Sequence, residues 1–322
     1  MKITGKKIVT ITFVAGLFIV ATFTLNACTQ AQESGGLRTH GMVLTFSDEF
    51  DGPTLDLTKW SHQSGTGGVD PVTGINFGLS GWGNSEQQFY QAANTEIIDG
   101  MLHIWGRREE AGEGSYARQF TSSRIRTAGN FAQRYGRFEA RMKIPAVPGF
   151  WPAFWLMPEP HDDHPTRGIY GGWPHSGKID IMEARGSAPH RVGQAIHFGV
   201  QAQRVHRYIH NIGDFTLPNN GTIEEFHVYG VDWFHDRMEW FVNDEIVFVI
   251  TAEEWLEHNG VPNVTIGHPA AVGNSPFDQK FHMIINLAIG GHFDRGVLPP
   301  DDFKEAPMVV DWVRVWQFEE YL

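Results

Sequence analysis

The sequence has almost no cysteine, since Cys28 is the only one among 322 residues. One thiol cannot form a disulfide within the chain, so the fold must be stabilised by its hydrophobic core. Basic residues are also few: 25 Lys and Arg stand against 37 Asp and Glu, and the formal net charge is −12. Such a surface repels nucleic acid and does not favour anionic polymers, whereas it is compatible with a neutral ligand.

Long hydrophobic runs are confined to the first segment of the chain. Three lysines precede an apolar run over residues 8–25, which contains threonines and ends at small residues. This pattern predicts a signal peptide over residues 1–27 rather than a membrane span. The segment ends in LNAC at 25–28, which resembles the lipobox of bacterial lipoproteins. We therefore expect an exported protein, lipidated at Cys28 and anchored in the bacterial outer membrane or at the cell surface. The alternative is a secreted protein with a free cysteine in an ordinary signal peptide.

Linkers are scarce as well. Residues 28–40 are polar and include Gly35 and Gly36, which is typical of a flexible tether. Beyond them we find no second linker, repeat or low-complexity tract, so residues 41–322 are predicted to form one domain, which we expect to be monomeric.

Helix signals are few, and alternating patterns dominate. Within residues 136–144 four apolar side chains fall on one face and four charged ones on the other, which predicts a half-buried strand. Asn243 and Asp244 lie between two apolar strand patterns and predict a hairpin, and residues 309–317 read as the last strand. A capping box at 251–254 predicts a short helix. Together these patterns indicate two packed antiparallel sheets.

Polar residues of unusual spacing occur in the strand pattern KIDIME at 178–183. Lys178 and Asp180 share one face, and the isoleucines beside them point to the core. Strict alternation would send Glu183 to the core, but a β-bulge around Met182 would return it to the polar face. The alternative is an edge strand with a solvated polar face. The eleven tryptophans exceed the needs of a core, so some of them are expected to face a ligand.

The sequence resembles glycoside hydrolase family sixteen, in its laminarinase (endo-β-1,3-glucanase) branch. The matching segments run in family order along the chain: GWGNSE at 81–86, SSRIRT at 122–127, YGRFEAR at 135–141, FWPAFW at 150–155, WPHSG at 173–177, IHFG at 196–199 and NLAIGG at 286–291. The resemblance implies a β-jelly-roll sandwich of two curved antiparallel sheets, with an open cleft for a neutral β-1,3-linked or mixed-linkage glucan on the concave face.

The active strand of that family reads Glu-x-Asp-x-x-Glu, in which the first Glu is the nucleophile. By this resemblance Glu183 is the acid/base and Asp180 the residue that holds the nucleophile, while Lys178 stands at the nucleophile's position. Retaining hydrolysis needs two carboxyl groups about 5–5.5 Å apart. A protonated lysine has no lone pair to attack with, and it places positive charge beside a developing oxocarbenium ion. It would also favour ionised Glu183. Hydrolysis is therefore predicted to be absent or severely impaired.

Three hypotheses remain open from the sequence. The first is a glucan-recognising protein without hydrolysis, whether Lys178 is natural or an altered Glu codon. The second is an active endo-β-1,3(4)-glucanase that uses Asp180 as a surrogate nucleophile, or Glu183 with a water and a carboxylate about 6.5–9.5 Å away. The third is a structural surface protein whose aromatic residues are only core.

Binding residues are implied by the same resemblance. Its sugar-stacking positions are Trp151, Trp155 and Trp173, each of which could instead be core. Its polar cleft positions are Asn84, Glu86, Arg126 and His197, the last of which could be a strand histidine with no role in binding. The family usually continues Gly290-Gly291 with Asn-Trp, whereas this chain has His292-Phe293, which alters one end of the cleft.

No cofactor is expected for catalysis. The resemblance does imply a structural calcium on the convex side, held by Glu49, Asp311 and the carbonyl of Gly100. Oxygen ligands of this kind suit calcium, although the two acids could equally be ordinary surface residues.

Overall fold

The computed structural model describes residues 41–67, 81–160, 168–200, 205–211, 214–259 and 273–322. The predicted signal peptide, lipidation at Cys28 and the tether lie outside these described residues, and they stay predictions. Leu44–Leu322 form one compact unit. Within the described ranges, no helix has the length and apolar character needed to cross a membrane.

Strands account for most of the regular structure. In chain order they are β1 (Met42–Asp48), β2 (Ser61–Gln63), β3 (Gln88–Tyr90), β4 (Thr95–Ile98), β5 (Met101–Arg107), β6 (Phe120–Ser122), β7 (Arg124–Arg126), β8 (Gly136–Lys143), β9 (Phe150–Pro158), β10 (Lys178–Ala184), β11 (Arg191–Val200), β12 (Val205–His210), β13 (Phe215–Thr216), β14 (His227–Trp233), β15 (Arg237–Val242), β16 (Glu245–Thr251), β17 (Phe281–Ile289) and β18 (Glu305–Phe318). The α-helix among the described residues is α1 (Ala252–Asn259).

These strands form two sheets. The larger has the order β16-β15-β14-β8-β18-β5-β6-β3, with β1 on β18 and β4 on β5. The smaller has the order β12-β11-β10-β9-β17-β7-β2, with β13 on β11. Neighbours such as β9, β10 and β11 are antiparallel, whereas β3 and β6 are parallel. The predicted two-sheet architecture is confirmed, and β10 lies near the middle of the smaller sheet.

The core lies between the two sheets. Phe138, Ala140 and Met142 of β8 are fully buried there, as the alternating pattern predicted. The opposite face of β8 is more buried than expected, because Arg137 forms a two-bonded ion pair with Asp232 at 2.7 and 2.6 Å. Each large apolar side chain removed from water contributes about 1.5–3 kcal/mol, which suits a fold without disulfides.

The hairpin and the helix were also predicted correctly. Asn243 and Asp244 both have positive φ, at 47° and 83°, as a tight turn between β15 and β16 requires. The amide of Thr251 donates to the carboxylate of Glu254 at 2.7 Å, which is one half of the capping box that begins α1.

Candidate functional site

The bulge in β10 orients the polar groups of that strand. Asp180 pairs with Ala195 of β11, and Glu183 pairs with Gly193. The two pairs are three residues apart on β10 but only two residues apart on β11, so β10 contains one extra residue. The bulge falls at Ile181 and Met182: Met182 pairs with Phe154 of β9, Ile181 has no partner there, and both side chains are buried. The predicted bulge is confirmed, and it brings Glu183 to the same side of the sheet as the two polar residues before it.

Lys178, Asp180 and His197 form a buried polar cluster. The Nζ of Lys178 lies 2.5 Å from Oδ1 of Asp180, and Nε2 of His197 lies 3.2 Å from its Oδ2. The Asp180 side chain has no exposed surface, and 15% of the Lys178 side chain is exposed. Both oxygens of Asp180 are therefore engaged, which does not fit a surrogate nucleophile.

Charges in the cluster shift the ionisation of its members. Burial alone would raise the pKa of Asp180, but the Lys178 ammonium and His197 outweigh it and hold the pKa below its ordinary value. Burial likewise opposes the charge on Lys178, yet Asp180 and Glu183 raise the pKa of that ammonium. The pair is therefore a carboxylate and an ammonium at neutral pH.

Glu183 is a buried carboxyl beside this cluster. Its Oε1 accepts a hydrogen bond of 3.0 Å from Nε1 of Trp151. Burial first, and then the charge on Asp180, raise the pKa of Glu183 to about 7. We expected Lys178 to favour the ionised form. Lys178 does lower this pKa, as predicted, but burial and the charge on Asp180 outweigh it and the net shift is upward.

Two cationic side chains lie near the ring of Trp155. The Nζ of Lys178 lies 4.6 Å from its ring centroid, and the guanidinium carbon of Arg124 lies 4.8 Å from it. Its indole nitrogen donates to Asn286 at 2.8 Å. Trp155 therefore lines the cleft but also supports two cations, which a stacking role alone did not predict.

Trp151 and Phe293 close one end of the cleft. Their rings stack with centroids 5.1 Å apart and planes at 20°. Arg185 lies over Phe293 at 4.9 Å, and His292 contacts the hydroxyl of Ser85 at 3.1 Å. The His292-Phe293 departure thus supplies an aromatic platform at this end.

Two of the predicted binding residues do not line the cleft. Glu86 is 3% exposed and accepts bonds from Asn84 at 3.0 Å and from Gln88 at 2.7 Å, so it holds Asn84, which does line the cleft. Arg126 is 2% exposed and buried. Arg124, two residues earlier on β7, reaches the cleft instead. The alternating arginines of this segment did not reveal which of them would do so.

Rings from β11, β12 and the segment before β10 form the opposite side. Trp173 is 45% exposed, and its ring centroid lies 5.4 Å from both His197 and His206. His206, Tyr208 and His210 alternate along β12 and line the cleft. The sequence reasoning missed these three residues, although their period-two spacing was a signal.

The cleft has a volume of about 1040 Å³. Five of the predicted residues named above line it directly with Lys178 and Glu183: Asn84, Trp151, Trp155, Trp173 and His197. It crosses the strands from β7 to β12, and a pocket this open and rich in aromatic and hydrogen-bonding groups suits an extended polar polymer with apolar faces.

The two acidic residues predicted to hold calcium each pair with an arginine. Both oxygens of Glu49 accept bonds from Arg314, at 2.9 and 2.8 Å. Asp311 is bonded to Arg141. Guanidinium groups therefore neutralise both carboxylates, and a calcium held by Glu49, Asp311 and the carbonyl of Gly100 stays a prediction. Among the described residues, no group of three or more His, Cys, Asp or Glu could hold a metal.

Comparison with known sequences identifies relatives of the whole described unit. The family model for glycosyl hydrolases family 16 matches residues 83–271. Glucan endo-1,3-beta-glucosidase A1 of Niallia circulans is 37% identical over 285 residues, which cover 86% of this chain but only 38% of that protein. The beta-1,3-glucan-binding protein of Penaeus monodon is 29% identical over 352 residues, covering 86% of this chain and 90% of that one.

Solved structures agree with this assignment. The endo-beta-1,3-glucanase from Pyrococcus furiosus superimposes with a TM-score of 0.68 and 31% identity, over 86% of this chain and 95% of that one. The predicted β-jelly-roll fold is therefore confirmed, together with a cleft whose floor is the smaller sheet. By its sequence, its fold and its cleft, the chain belongs to glycosyl hydrolases family 16.

Proposed function

We propose that the chain recognises a β-1,3-glucan in its cleft and that retaining hydrolysis of this glucan is absent or severely impaired. The observation that carries the proposal is the ion pair between Lys178 and Asp180 on the central strand of the cleft floor. The relatives support the ligand class, because one is named as a glucanase and another as a glucan-binding protein.

Glu183 has the properties of a general acid but lacks a partner for retaining chemistry. A pKa of about 7 leaves a substantial protonated fraction at neutral pH, as donation to a leaving oxygen requires. The resemblance places the nucleophile at position 178, where this chain has an ammonium group. Asp180 is fully buried, and both its oxygens are engaged. A covalent glycosyl ester therefore has no carboxylate to form on.

The binding surface does not depend on the missing nucleophile. Trp151 with Phe293 at one end and Trp173 at the other present aromatic surface, while Asn84 supplies a polar amide. Sugar rings have apolar faces that pack on aromatic rings and hydroxyl edges that bond to polar groups. The net charge of −12 favours a neutral glucan over an anionic one.

An active endo-β-1,3(4)-glucanase is the second candidate, and one observation favours it. Asp214 lines the cleft and lies close to Gly193. A Cβ atom added at Gly193 would be 3.1 Å from Oδ1 of Asp214. Gly193 is the cross-strand partner of Glu183, so this second carboxylate lies near the acid. In an inverting reaction Asp214 would take a proton from water as Glu183 protonates the leaving oxygen. Its ion pair with Arg185 opposes this role, because the guanidinium already occupies Oδ2 of Asp214.

The test combines binding and turnover on one preparation. Calorimetric titration with laminarin and with linear β-1,3-glucan oligosaccharides is expected to give saturable heats, while a reducing-end assay over a day shows no release. If the protein does release reducing ends, and Glu183→Gln or Asp214→Asn abolishes this release, the protein is an active endo-glucanase instead. No heat and no release would leave only a structural protein, and both candidate functions would be wrong.

We also propose that the protein is exported and held at a membrane by a lipid on Cys28, on the basis of the segment before it. Expression in a bacterial host followed by fractionation tests this directly. Cys28→Ala is expected to move the protein from the membrane fraction to the soluble one.

A further inference from the structure

The edge strand β12 presents a row of rings along one side of the cleft. His206, Tyr208 and His210 alternate along the strand, line the cleft and are exposed, with Tyr208 at 56%. The centroids of successive rings lie 6.0 and 5.4 Å apart. We call these three residues the β12 strip.

The β12 strip runs at right angles to the long axis of the cleft. His210 is opposite Ala195, Tyr208 is opposite His197 and His206 is opposite Gly199, so each ring belongs to a different cross-strand row. The residues that line the cleft extend across the sheet from β7 to β12, and this distance is about 24 Å because neighbouring strands are about 4.8 Å apart. The strip extends about 13 Å along one strand. A chain that crosses the strands in one row therefore meets one ring, and the other two lie beside its path.

Hydrogen bonds fix the ring of His206 in one orientation. Nε2 of His197 lies 3.2 Å from Oδ2 of Asp180, and in the tautomer that directs the Nε2 hydrogen to this carboxylate, Nδ1 of His197 accepts from Nε2 of His206 at 2.9 Å. Nδ1 of His206 then carries a lone pair and can accept a hydrogen bond from a hydroxyl group. Burial, together with the charge of Lys178, lowers the pKa of His206, so the ring is neutral at neutral pH.

We infer that the β12 strip binds a side branch of the polysaccharide, so that the protein prefers a branched β-glucan to a linear one. This inference rests on the proposed function. Two or three sugar units fit the length of the strip. Exposed rings stack on their apolar faces, and Nδ1 of His206 accepts from a hydroxyl group. Trp173, 5.4 Å from His206, lies where the strip meets the main path.

The experiment compares two ligands of equal main-chain length by calorimetry. One is a linear β-1,3-glucan hexasaccharide, and the other carries a single β-1,6-linked glucose on the same hexasaccharide at an internal residue. The protein is expected to bind the branched ligand about tenfold more tightly. Tyr208→Ala is expected to remove that preference, by weakening the branched ligand several-fold more than the linear one. Both ligands are recovered afterwards and checked for cleavage.

Matched variants separate the possible outcomes. Tyr116→Ala removes another exposed tyrosine, 47% exposed and outside the cleft lining, and is expected to change neither affinity. His210→Ala serves as a second strip variant if Tyr208→Ala fails to fold. Equal affinity of the unaltered protein for both ligands, or an equal loss for both in Tyr208→Ala, would overturn the branch inference while leaving the proposed function in place. Failure of both ligands to bind would overturn both proposals.

Discussion

The ammonium of Lys178 lies 2.5 Å from a carboxylate, Asp180, that has no exposed surface. A buried charge of this kind is stable only when it is paired, and His197 occupies the second oxygen at 3.2 Å. The same pair fills the position that the family resemblance assigns to the nucleophile. One contact thus links the stability of the strand to the proposed absence of retaining hydrolysis.

Removal of the ammonium should destabilise the fold. In Lys178→Met the buried Asp180 loses its main counter-charge, and breaking a buried pair from one side costs about 3–5 kcal/mol. His197 remains as a partner, so we expect a loss of about 3 kcal/mol. Urea unfolding at neutral pH measures it.

Lys59→Met is the matched control for this substitution. Its Nζ lies 3.4 Å from Asp48, and its side chain is 36% exposed, so the loss should be below about 1 kcal/mol. Equal losses in the two variants would contradict the account of the Lys178 pair.

The raised pKa of Glu183 predicts how stability depends on pH. The folded state binds this proton up to about pH 7, whereas an exposed glutamate releases it near pH 4.5. Between those values the folded protein holds more protons than the unfolded one, so this group makes stability fall as the pH rises. Over pH 5 to 8 the contribution is about 2 kcal/mol. The depressed pKa of Asp180 acts in the opposite direction and only in more acidic solution.

Glu183→Gln isolates this effect, because all other titrating groups remain. Urea unfolding of both proteins at pH 5 and pH 8 gives the difference. We expect the free energy of unfolding of the unaltered protein, relative to that of Glu183→Gln, to fall between pH 5 and pH 8. Parallel pH dependence of the two proteins would show that Glu183 is not a proton-binding group in this range.

Trp151 should contribute strongly to glucan affinity. It stacks on Phe293 and lines the cleft, and truncation of an aromatic anchor of this kind costs about 1.5–3 kcal/mol. Trp151→Ala is therefore expected to weaken laminarin binding at least about tenfold in a calorimetric titration. Trp312→Ala, on the larger sheet and outside the cleft lining, should leave the affinity unchanged. A loss in both variants would indicate damage to the fold.

Much of the fold could be predicted because its signals are local. Alternation identified the buried face of β8, and Asn243-Asp244 identified the hairpin, since both depend on residues close in the chain. The bulge at Met182 followed from the need to bring Glu183 out of the core.

The parts of the site that were not predicted depend on distant residues. Arg124 reaches Trp155 diagonally across β17, because Arg124 pairs with Asn286 of that strand and Trp155 pairs with Ile284. The β12 strip faces the cleft because of its register with β11. The effect of Lys178 on the pKa of Glu183 was predicted correctly, but the larger effect of burial was not, because burial depends on the packed sandwich. Such effects require strand order, which alternation alone does not supply.

The central claim is tested most directly by Lys178→Glu in a reducing-end assay on laminarin, beside the unaltered protein and Lys178→Gln. The Gln variant removes the charge and matches the size of Glu, but it supplies no nucleophile. We expect hydrolysis only in the Glu variant, at a rate on the order of a thousandfold or more above the other two. Cleavage by the unaltered protein at a rate near that of Lys178→Glu would contradict the account.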